Sequence, residues 1–305
     1  MFVLIGATFF GPNAGNVVFG MYVLSIALVI GIAYPVLLTP TFMWQAAFGM
    51  VLAGDRRPDD PLVRQTGACC KALVAIDGLP MLDGVVATLQ QSQSIQRVLL
   101  SGPTQRCLDT DATLKAWLES GRIDWVEPQA SPSTSAYAAM QGLSASTPVL
   151  VTTADHPLLR ADIVDHFLRE AISSGADVAV ALTSFATIRE KFPDAKKTVL
   201  RFREGGFCGC NLFAFLTPQS RRVADVWRRV EQQRKNPLRV VSQLGWWSVL
   251  RYLLGRLPLD SALDDLSRRL RVRIHPVILP FPEAAIDVDT IADQRLVEGI
   301  AGSDR

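Results

Sequence analysis

The residues best suited to chemistry are one lysine and a few aspartates that stand beside apolar runs. Val51–Gly54 (VLAG) ends one apolar run, a mainly polar stretch follows, and Lys71 opens the next run. A glycine lets backbone N–H groups approach a bound phosphate closely, and a lysine adds a compact positive charge. The spacing matches neither GxxxxGK[ST] nor GxGxxG. It therefore gives a weak prediction of a phosphate-binding loop between a strand and Lys71.

A single aspartate follows the apolar run Pro148–Thr152 (PVLVT). Asp155 stands just beyond this predicted strand, and ligands of open α/β sheets bind at the carboxyl ends of strands. Mg²⁺ takes one or two carboxylates together with substrate phosphates, so Asp155 is a candidate metal ligand. The alternative is that Asp155 caps a helix from Pro157 onward. The neighbouring His156 is a candidate contact for a substrate phosphate.

Two further aspartates lie near the C-terminus, in the stretch AIDVDT. Asp287 and Asp289 alternate along a predicted strand, so we expect them to face the same way and one of them to be a second metal ligand. The alternative is a polar strand end, with Thr290 capping the last helix and Asp293 in its first turn.

A turn rich in serine and threonine, Ser131–Met140, leads into a predicted helix. The hydroxyl and N–H groups of Ser133 and Ser135 are candidates to contact a nucleobase or ribose. An ordinary capped helix start explains the same pattern equally well.

Short apolar runs alternate with amphipathic segments from about residue 45, which indicates an α/β fold with a mostly parallel sheet. The predicted strands are 46–52, 97–100, 123–126, 148–152, 177–182 and 272–278, with an antiparallel pair at 198–203 and 210–215. The predicted helices are 80–91, 133–143, 159–174, 218–234, 240–254 and 260–270. We expect one domain from 44 to 305, because no repeat or low-complexity linker interrupts this pattern.

The N-terminus carries no charged side chain before Asp55, and Val17–Leu38 is an apolar run. A membrane-spanning helix needs roughly 20 apolar residues, so segment 1–43 is predicted to anchor the protein in a membrane. The arginines that follow favour a cytoplasmic catalytic domain. If the start is mis-assigned and this segment is not translated, the protein would be cytoplasmic without an anchor.

The charge distribution limits the classes of binding partner that the sequence supports, and the cysteines indicate the redox environment. The net charge is +2, which gives no whole-chain case for nucleic acid binding. Residues 221–273 hold 13 Arg and Lys against 5 Asp and Glu, a net of +8, and include Trp246 and Trp247. This is either a solvated basic face or a surface for anionic lipid headgroups. The five cysteines make no even disulfide framework and show no CxxC spacing of a zinc site, so we expect reduced cysteines in a cytosolic domain.

Four segments taken in order, VLAG…KALVAIDGLPML, VLVTTADHPLL, GCNLFAF and AIDVDT, resemble the MobA-like nucleotidyltransferase family over about residues 46–300. The resemblance implies a Rossmann-like GT-A nucleotidyltransferase fold with a mostly parallel mixed sheet. It places Leu52, Ala53 and Gly54 in the nucleotide loop, Lys71 as its lysine, Asp155 as a metal ligand, and Asp287 or Asp289 as the late aspartate. The family's LAGG is LAGD here, and Arg56, Arg57 or Arg64 would replace its loop arginine.

The resemblance implies an enzyme that uses Mg²⁺ (or Mn²⁺). It would move a nucleoside monophosphate from an NTP to a phosphorylated or hydroxyl small-molecule acceptor, with release of pyrophosphate. Two alternatives stay open, a GT-A glycosyltransferase that uses a nucleotide sugar and a non-catalytic nucleotide-binding domain. TADHP holds a single acid where such a glycosyltransferase would have DxD, and LAGD leaves the non-catalytic alternative open.

Overall fold

The sheet is built around its first strand, which is buried on both faces. The computed structural model describes residues 46–55, 59–232 and 246–303. In these residues the strands are β1 (Ala47–Leu52), β2 (Ala75–Ile76), β3 (Leu79–Pro80), β4 (Ile95–Ser101), β5 (Asp124–Val126), β6 (Val149–Thr153), β7 (Val178–Ser184), β8 (Leu200–Phe202), β9 (Gly205–Phe215) and β10 (Ile274–Leu279). Met50 and Val51 of β1 are fully buried.

Helices cover the sheet and connect its strands. In the same described residues they are α1 (Pro61–Thr66), α2 (Met81–Gln91), α3 (Gln105–Thr110), α4 (Ala112–Glu119), α5 (Pro132–Gln141), α6 (Ala161–Ser173), α7 (Phe185–Lys191), α8 (Arg221–Gln232), α9 (Trp246–Leu253), α10 (Leu259–Leu270) and α11 (Ile291–Ser303). Short 3₁₀ turns occur at Lys71–Leu73, Pro218–Ser220 and Pro282–Ala285.

The main sheet has the order β10-β7-β9-β6-β1-β4-β5, with β8 beside β9. Strand β1 runs parallel to both β4 and β6, while β9 runs antiparallel to β6 and β7. The chain therefore leaves β1 in one direction toward β4 and returns on its other side as β6. In open α/β sheets such a switch point, at the carboxyl ends of the strands, is where ligands bind.

The predicted α/β class and mixed sheet are confirmed, as are most elements within a few residues. The polar stretch before Lys71 contains α1, which the sequence analysis missed. The turn of the predicted antiparallel pair is shorter than expected, because β9 already begins at Gly205. The part of the predicted helix 240–254 before Trp246 lies outside the described residues.

The prediction of a strand for AIDVDT is wrong. Pro282–Ala285 forms a 3₁₀ turn, and Asp287 and Asp289 follow in a segment without regular secondary structure. The backbone N–H of Val288 donates to the carbonyl oxygen of Asp155 at 3.0 Å. This one bond ties the segment to the loop after β6 without forming a ladder.

The predicted membrane anchor, Val17–Leu38 within segment 1–43, lies outside the described residues. Among residues 46–55, 59–232 and 246–303, no helix is both long and apolar enough to cross a bilayer.

Candidate active site at the end of strands β1 and β6

The loop after β1 begins in tightly packed backbone. Leu52 and Ala53 are buried and Gly54 is exposed. A Cβ atom on Gly54 would lie 2.8 Å from Cβ of Pro128, and one on Gly102 would lie 2.8 Å from the backbone of Ala53 and Gly54. Because neither glycine has a Cβ atom, Gly54 can pack against Pro128 and Gly102 can pack against the backbone at the start of the loop. A loop does start after β1, and its first turn is fixed by packing, while nucleotide binding by Leu52, Ala53 and Gly54 stays a prediction.

The loop closes on Lys71 through Asp55. The Asp55 carboxylate accepts a hydrogen bond from the backbone N–H of Lys71 at 2.9 Å. Asp60 caps α1 by accepting from the N–H of Leu62, and Gly67 ends that helix. The aspartate of LAGD, which looked like a departure from the family pattern, therefore links the two ends of the loop.

Lys71 joins two aspartates that are distant in the sequence. Its ammonium group lies 2.8 Å from Oδ2 of Asp155 and is also bonded to Oδ1 of Asp289. The side chains of Lys71 and Asp155 are 18% and 19% exposed, whereas that of Asp289 is 59% exposed. The structure thus brings together Lys71, Asp155 and one of the two late aspartates that were candidates for a second metal ligand. The alternative that Asp155 caps a helix is wrong, because α6 begins only at Ala161.

Electrostatic interactions within the site keep both Asp155 and Lys71 charged. Burial alone raises the pKa of Asp155, but the ammonium of Lys71, the neighbouring His156 and a hydrogen bond from Thr153 outweigh it and lower that pKa to about 2. Burial lowers the pKa of Lys71, and the charges of Asp155 and Asp289 more than offset this and raise it. At neutral pH the site therefore presents a carboxylate and an ammonium group.

Asp287 and Asp289 do not act as a pair. Asp287 binds the ammonium of Lys197, whereas Asp289 binds Lys71. The expectation that both aspartates serve one site as neighbours on a strand is wrong, because the segment is not a strand and the two carboxylates bind different lysines. Thr290 and Asp293 exchange side chain to backbone hydrogen bonds at the start of α11, which confirms the predicted cap.

His156 is a buried neighbour of the site. Its ring is 1% exposed, and Nε2 lies 2.9 Å from Nδ2 of Asn211 and 3.9 Å from Oδ1 of Asp155. Asn211 has φ 49° in β9, where the pairing with β7 shifts register. Bulges of this kind re-aim side chains. The sequence analysis gave Asn211 no role, although the asparagine of GCNLFAF was part of the resemblance.

The serine-rich turn is a capped helix start. Ser131 and Thr134 form a capping box at the start of α5. Ser135 is buried and its hydroxyl accepts from the N–H of Gln129 at 2.8 Å, while Ser133 is fully buried. A contact of Ser133 or Ser135 with nucleobase or ribose stays a prediction, and it requires movement of this turn.

Of the three loop arginines, Arg56 and Arg57 lie outside the described residues, so a nucleotide contact by either stays a prediction. Arg64 lies on α1, is exposed and pairs with Asp59 at 2.9 Å.

The prediction that all five cysteines are reduced is wrong. Cys69 and Cys107 form a disulfide, while Cys70, Cys208 and Cys210 are free and buried. The two bonded cysteines are 38 residues apart and meet because the connections that follow β1 and β4, two neighbouring strands, run side by side. The cytoplasmic placement of the domain was drawn partly from reduced cysteines, and it stays a prediction.

The donor set at Lys71 fits a hard divalent cation. Two carboxylates, Asp155 and Asp289, converge on one positive charge, which here is the lysine ammonium. Mg²⁺ is commonly bound by one or two carboxylates, with water and substrate phosphate completing its shell. No group of three or more His, Cys, Asp or Glu side chains is arranged to hold a metal ion in the part of the chain that the structure describes, so these two carboxylates alone carry the fit.

Comparison with known proteins identifies the family. The family model of the MobA-like NTP transferase domain matches residues 49–277, which is most of the chain. The chain belongs to the MobA-like NTP transferase family. The matched region contains Gly54, Lys71 and Asp155, while Asp287 and Asp289 lie beyond it. A comparison with curated protein sequences gives no match.

Solved structures agree with this MobA-like fold. A hypothetical transferase from Thermus thermophilus is similar with TM-score 0.68 and 27% identity, over 81% of this chain and 99% of that one. A 4-diphosphocytidyl-2C-methyl-D-erythritol synthase from Anaerococcus prevotii DSM 20548 is similar with TM-score 0.53 and 12% identity, over 85% and 97% of the two chains. The second similarity concerns the fold alone.

Proposed function

We propose that this protein transfers a nucleoside monophosphate from an NTP to a phosphate or hydroxyl group of a small acceptor and releases pyrophosphate. The observation that carries the proposal is the convergence of Asp155 and Asp289 on Lys71, beside the Gly54 turn and at the switch point of the sheet. Membership of the family supports nucleotidyl transfer as the reaction class.

The chain's own residues supply positioning and charge. The Gly54 turn offers backbone N–H groups to the triphosphate, and the ammonium of Lys71 neutralises charge on the leaving pyrophosphate. Asp55 holds the backbone of Lys71, so the lysine is in place before the nucleotide arrives. Groups that are positioned in advance stabilise developing charge without reorganising during the reaction.

Asp155 and Asp289 are the residues that would hold Mg²⁺. Bound there, the ion would neutralise phosphate charge. Asp155 suits this role because its low pKa keeps it ionised across the neutral range.

The test is a thermal-shift panel on the full-length protein with the four common NTPs and several nucleotide sugars, each with and without Mg²⁺. Ligand at about 100 times its Kd stabilises a protein by roughly 2.7 kcal/mol, which is about 5 °C or more for a domain of this size. We expect a shift with one NTP, larger with Mg²⁺, and pyrophosphate release with that NTP. A shift only with a nucleotide sugar would instead support a glycosyltransferase. An unchanged melting temperature with every nucleotide would contradict both.

We also propose that helix α9 contacts anionic lipid. Its outer face exposes Trp247, Leu250 and Leu253, with exposed fractions of 70%, 45% and 75%, and Leu254, which directly follows the helix, is 59% exposed. The opposite face packs inward, where Tyr252 contacts Phe202. An apolar face with tryptophan in a strongly basic region is typical of helices that lie on anionic membranes. The net charge of +8 over residues 221–273 favours lipid over a second copy of the chain.

Sedimentation with vesicles tests this contact. We expect the full-length protein to bind vesicles that contain phosphatidylglycerol more than pure phosphatidylcholine vesicles. The double variant Trp247→Ser/Leu253→Ser should lose this difference, whereas Leu79→Ser, at another exposed leucine, should keep it. Equal binding by the double variant would contradict the proposal. A dimer that the double variant abolishes, without vesicle binding, would assign the face to a second copy.

A further inference from the structure

A second lysine–aspartate pair lies next to the first. The ammonium of Lys197 bonds to Oδ1 of Asp287, and the side chain of Lys197 is only 10% exposed. Asp287 is two residues from Asp289, which binds Lys71, and the residue between them is bonded to the backbone of Asp155. Two ammonium groups are therefore held at the two ends of one short acidic segment.

Lys197 approaches the site from a different part of the chain than Lys71 does. It lies in the connection between α7 and β8, whereas Lys71 follows the loop after β1. The pKa of His156 is lowered mainly by burial. The carboxylates of Asp155 and Asp287 oppose this effect, and the ammonium groups of Lys197 and Lys71 add to it. The buried imidazole is thus within electrostatic reach of both lysines.

A contribution to stability does not explain why Lys197 lies beside Asp287. A buried ion pair costs much of its attraction in lost hydration, so it is weak evidence for a role in stability. Its aspartate partner is 28% exposed, which leaves the pair open to solvent at the site. By contrast, the preceding residue, Lys196, is exposed.

We propose that Lys197 binds the anionic group of the acceptor, and that this group is a phosphate monoester. The inference rests on the proposed function. In the reaction, an oxygen of the acceptor phosphate forms a bond to the α-phosphorus of the NTP, the bond from that phosphorus to the bridging oxygen breaks, and pyrophosphate leaves with the electron pair. Both reactants are anions, so the attacking phosphate needs a counter-charge of its own while Lys71 serves the leaving pyrophosphate.

Asp287 and His156 support Lys197 in this role. Asp287 holds the ammonium at the site until the acceptor anion competes for it. Nδ2 of Asn211 lies 2.9 Å from Nε2 of His156 and fixes the buried ring, which lies 3.9 Å from Oδ1 of Asp155. An acceptor without an anion would leave Lys197 paired only with Asp287 and would gain nothing from it.

Titration of phosphate onto the protein with a nucleotide analogue already bound tests the proposed Lys197 subsite separately from the nucleotide site. The full-length protein is saturated with the α,β-methylene analogue of its preferred NTP and Mg²⁺, and inorganic phosphate is then titrated by calorimetry, with acetate as a parallel probe. The variants are Lys197→Met, Lys197→Arg, the double variant Lys197→Met/Asp287→Asn, and the matched control Lys196→Met. Lys197→Met alone leaves the Asp287 carboxylate without its lysine, which could destabilise the fold. The double variant removes that carboxylate charge as well, so it tests the loss of Lys197 without an unpaired charge.

We expect phosphate to bind the wild type and Lys196→Met equally. Its affinity should fall at least about tenfold in Lys197→Met and in the double variant, and be largely kept in Lys197→Arg. Affinity for the analogue should stay within about threefold in all of them. Phosphate binding that Lys197→Met leaves unchanged, or no phosphate binding in the wild type, overturns the inference. Acetate binding as tight as phosphate overturns the assignment to a phosphate monoester. Failure of the wild type to bind the analogue overturns the proposed function itself.

Discussion

Replacing Asp155 by asparagine is expected to lower kcat for nucleotidyl transfer by about 1,000-fold or more. Asparagine keeps the shape of the side chain but removes the negative charge on which Lys71 is held and which would bind a divalent cation. The measurement is pyrophosphate release from the preferred NTP with a panel of phosphate monoesters as acceptors.

The matched control is Asp162→Asn, which removes an exposed carboxylate paired with Arg160 and should leave kcat unchanged. Activity of Asp155→Asn within tenfold of wild type would contradict the assignment. The folded state holds the pKa of Asp155 at about 2, below its ordinary value, so ionised Asp155 stabilises the fold by about 2 kcal/mol. That stabilisation is present above pH 4 or so and is lost as the pH falls toward 2. Activity should therefore be compared well below the melting temperature of the variant.

The largest effect on stability is expected for Gly102→Ala. Gly102 has φ +93°, and an added Cβ would lie 2.8 Å from the backbone of Ala53 and Gly54, which cannot move aside as a side chain can. Backbone strain and overpacking together should cost about 3 to 4 kcal/mol. The expected fall in melting temperature is about 6 to 12 °C, measured by calorimetry. Nucleotide affinity should fall as well, because the clash pushes the Gly54 turn out of place.

The control Gly121→Ala separates backbone strain from overpacking as causes of the lost stability. Gly121 has a similar φ of +67° but no neighbouring atom within 4 Å of an added Cβ. It should lose only about 1 kcal/mol, from strain alone. Equal losses in the two variants would show that contact with the nucleotide loop contributes nothing at Gly102.

The parts of the site that the sequence predicted are those set by local pattern. Gly54 and Asp155 each stand just beyond a buried apolar run, and parallel strands end at the same edge of a sheet, so the sequence placed the loop that leads to Lys71 near Asp155. Asp289 was found only as one of two candidates. Choosing between Asp287 and Asp289 required the direction of each side chain, and the segment lacks the regular alternation of a strand.

The parts that were missed depend on contacts between distant residues. The disulfide joins Cys69 to Cys107, and no spacing rule signals it, because the pairing depends on the order of β1 and β4 in the sheet. Lys197 stood in a stretch without a motif, and its place beside Asp287 follows from how the connection after α7 folds back. Asp55 was noticed only as a departure from LAGG, since its hydrogen bond to Lys71 spans 16 residues.

The disulfide between Cys69 and Cys107 fixes the backbone at the Lys71 end of the nucleotide loop. Cys69 is two residues before Lys71 and is covalently tied to α3, while Asp55 holds the backbone of Lys71 from the other side. Any opening of the loop to admit a nucleotide must then pivot away from Lys71. In the proposed reaction the triphosphate would come to a lysine whose backbone is already fixed, and Lys71 would not move with a closing loop.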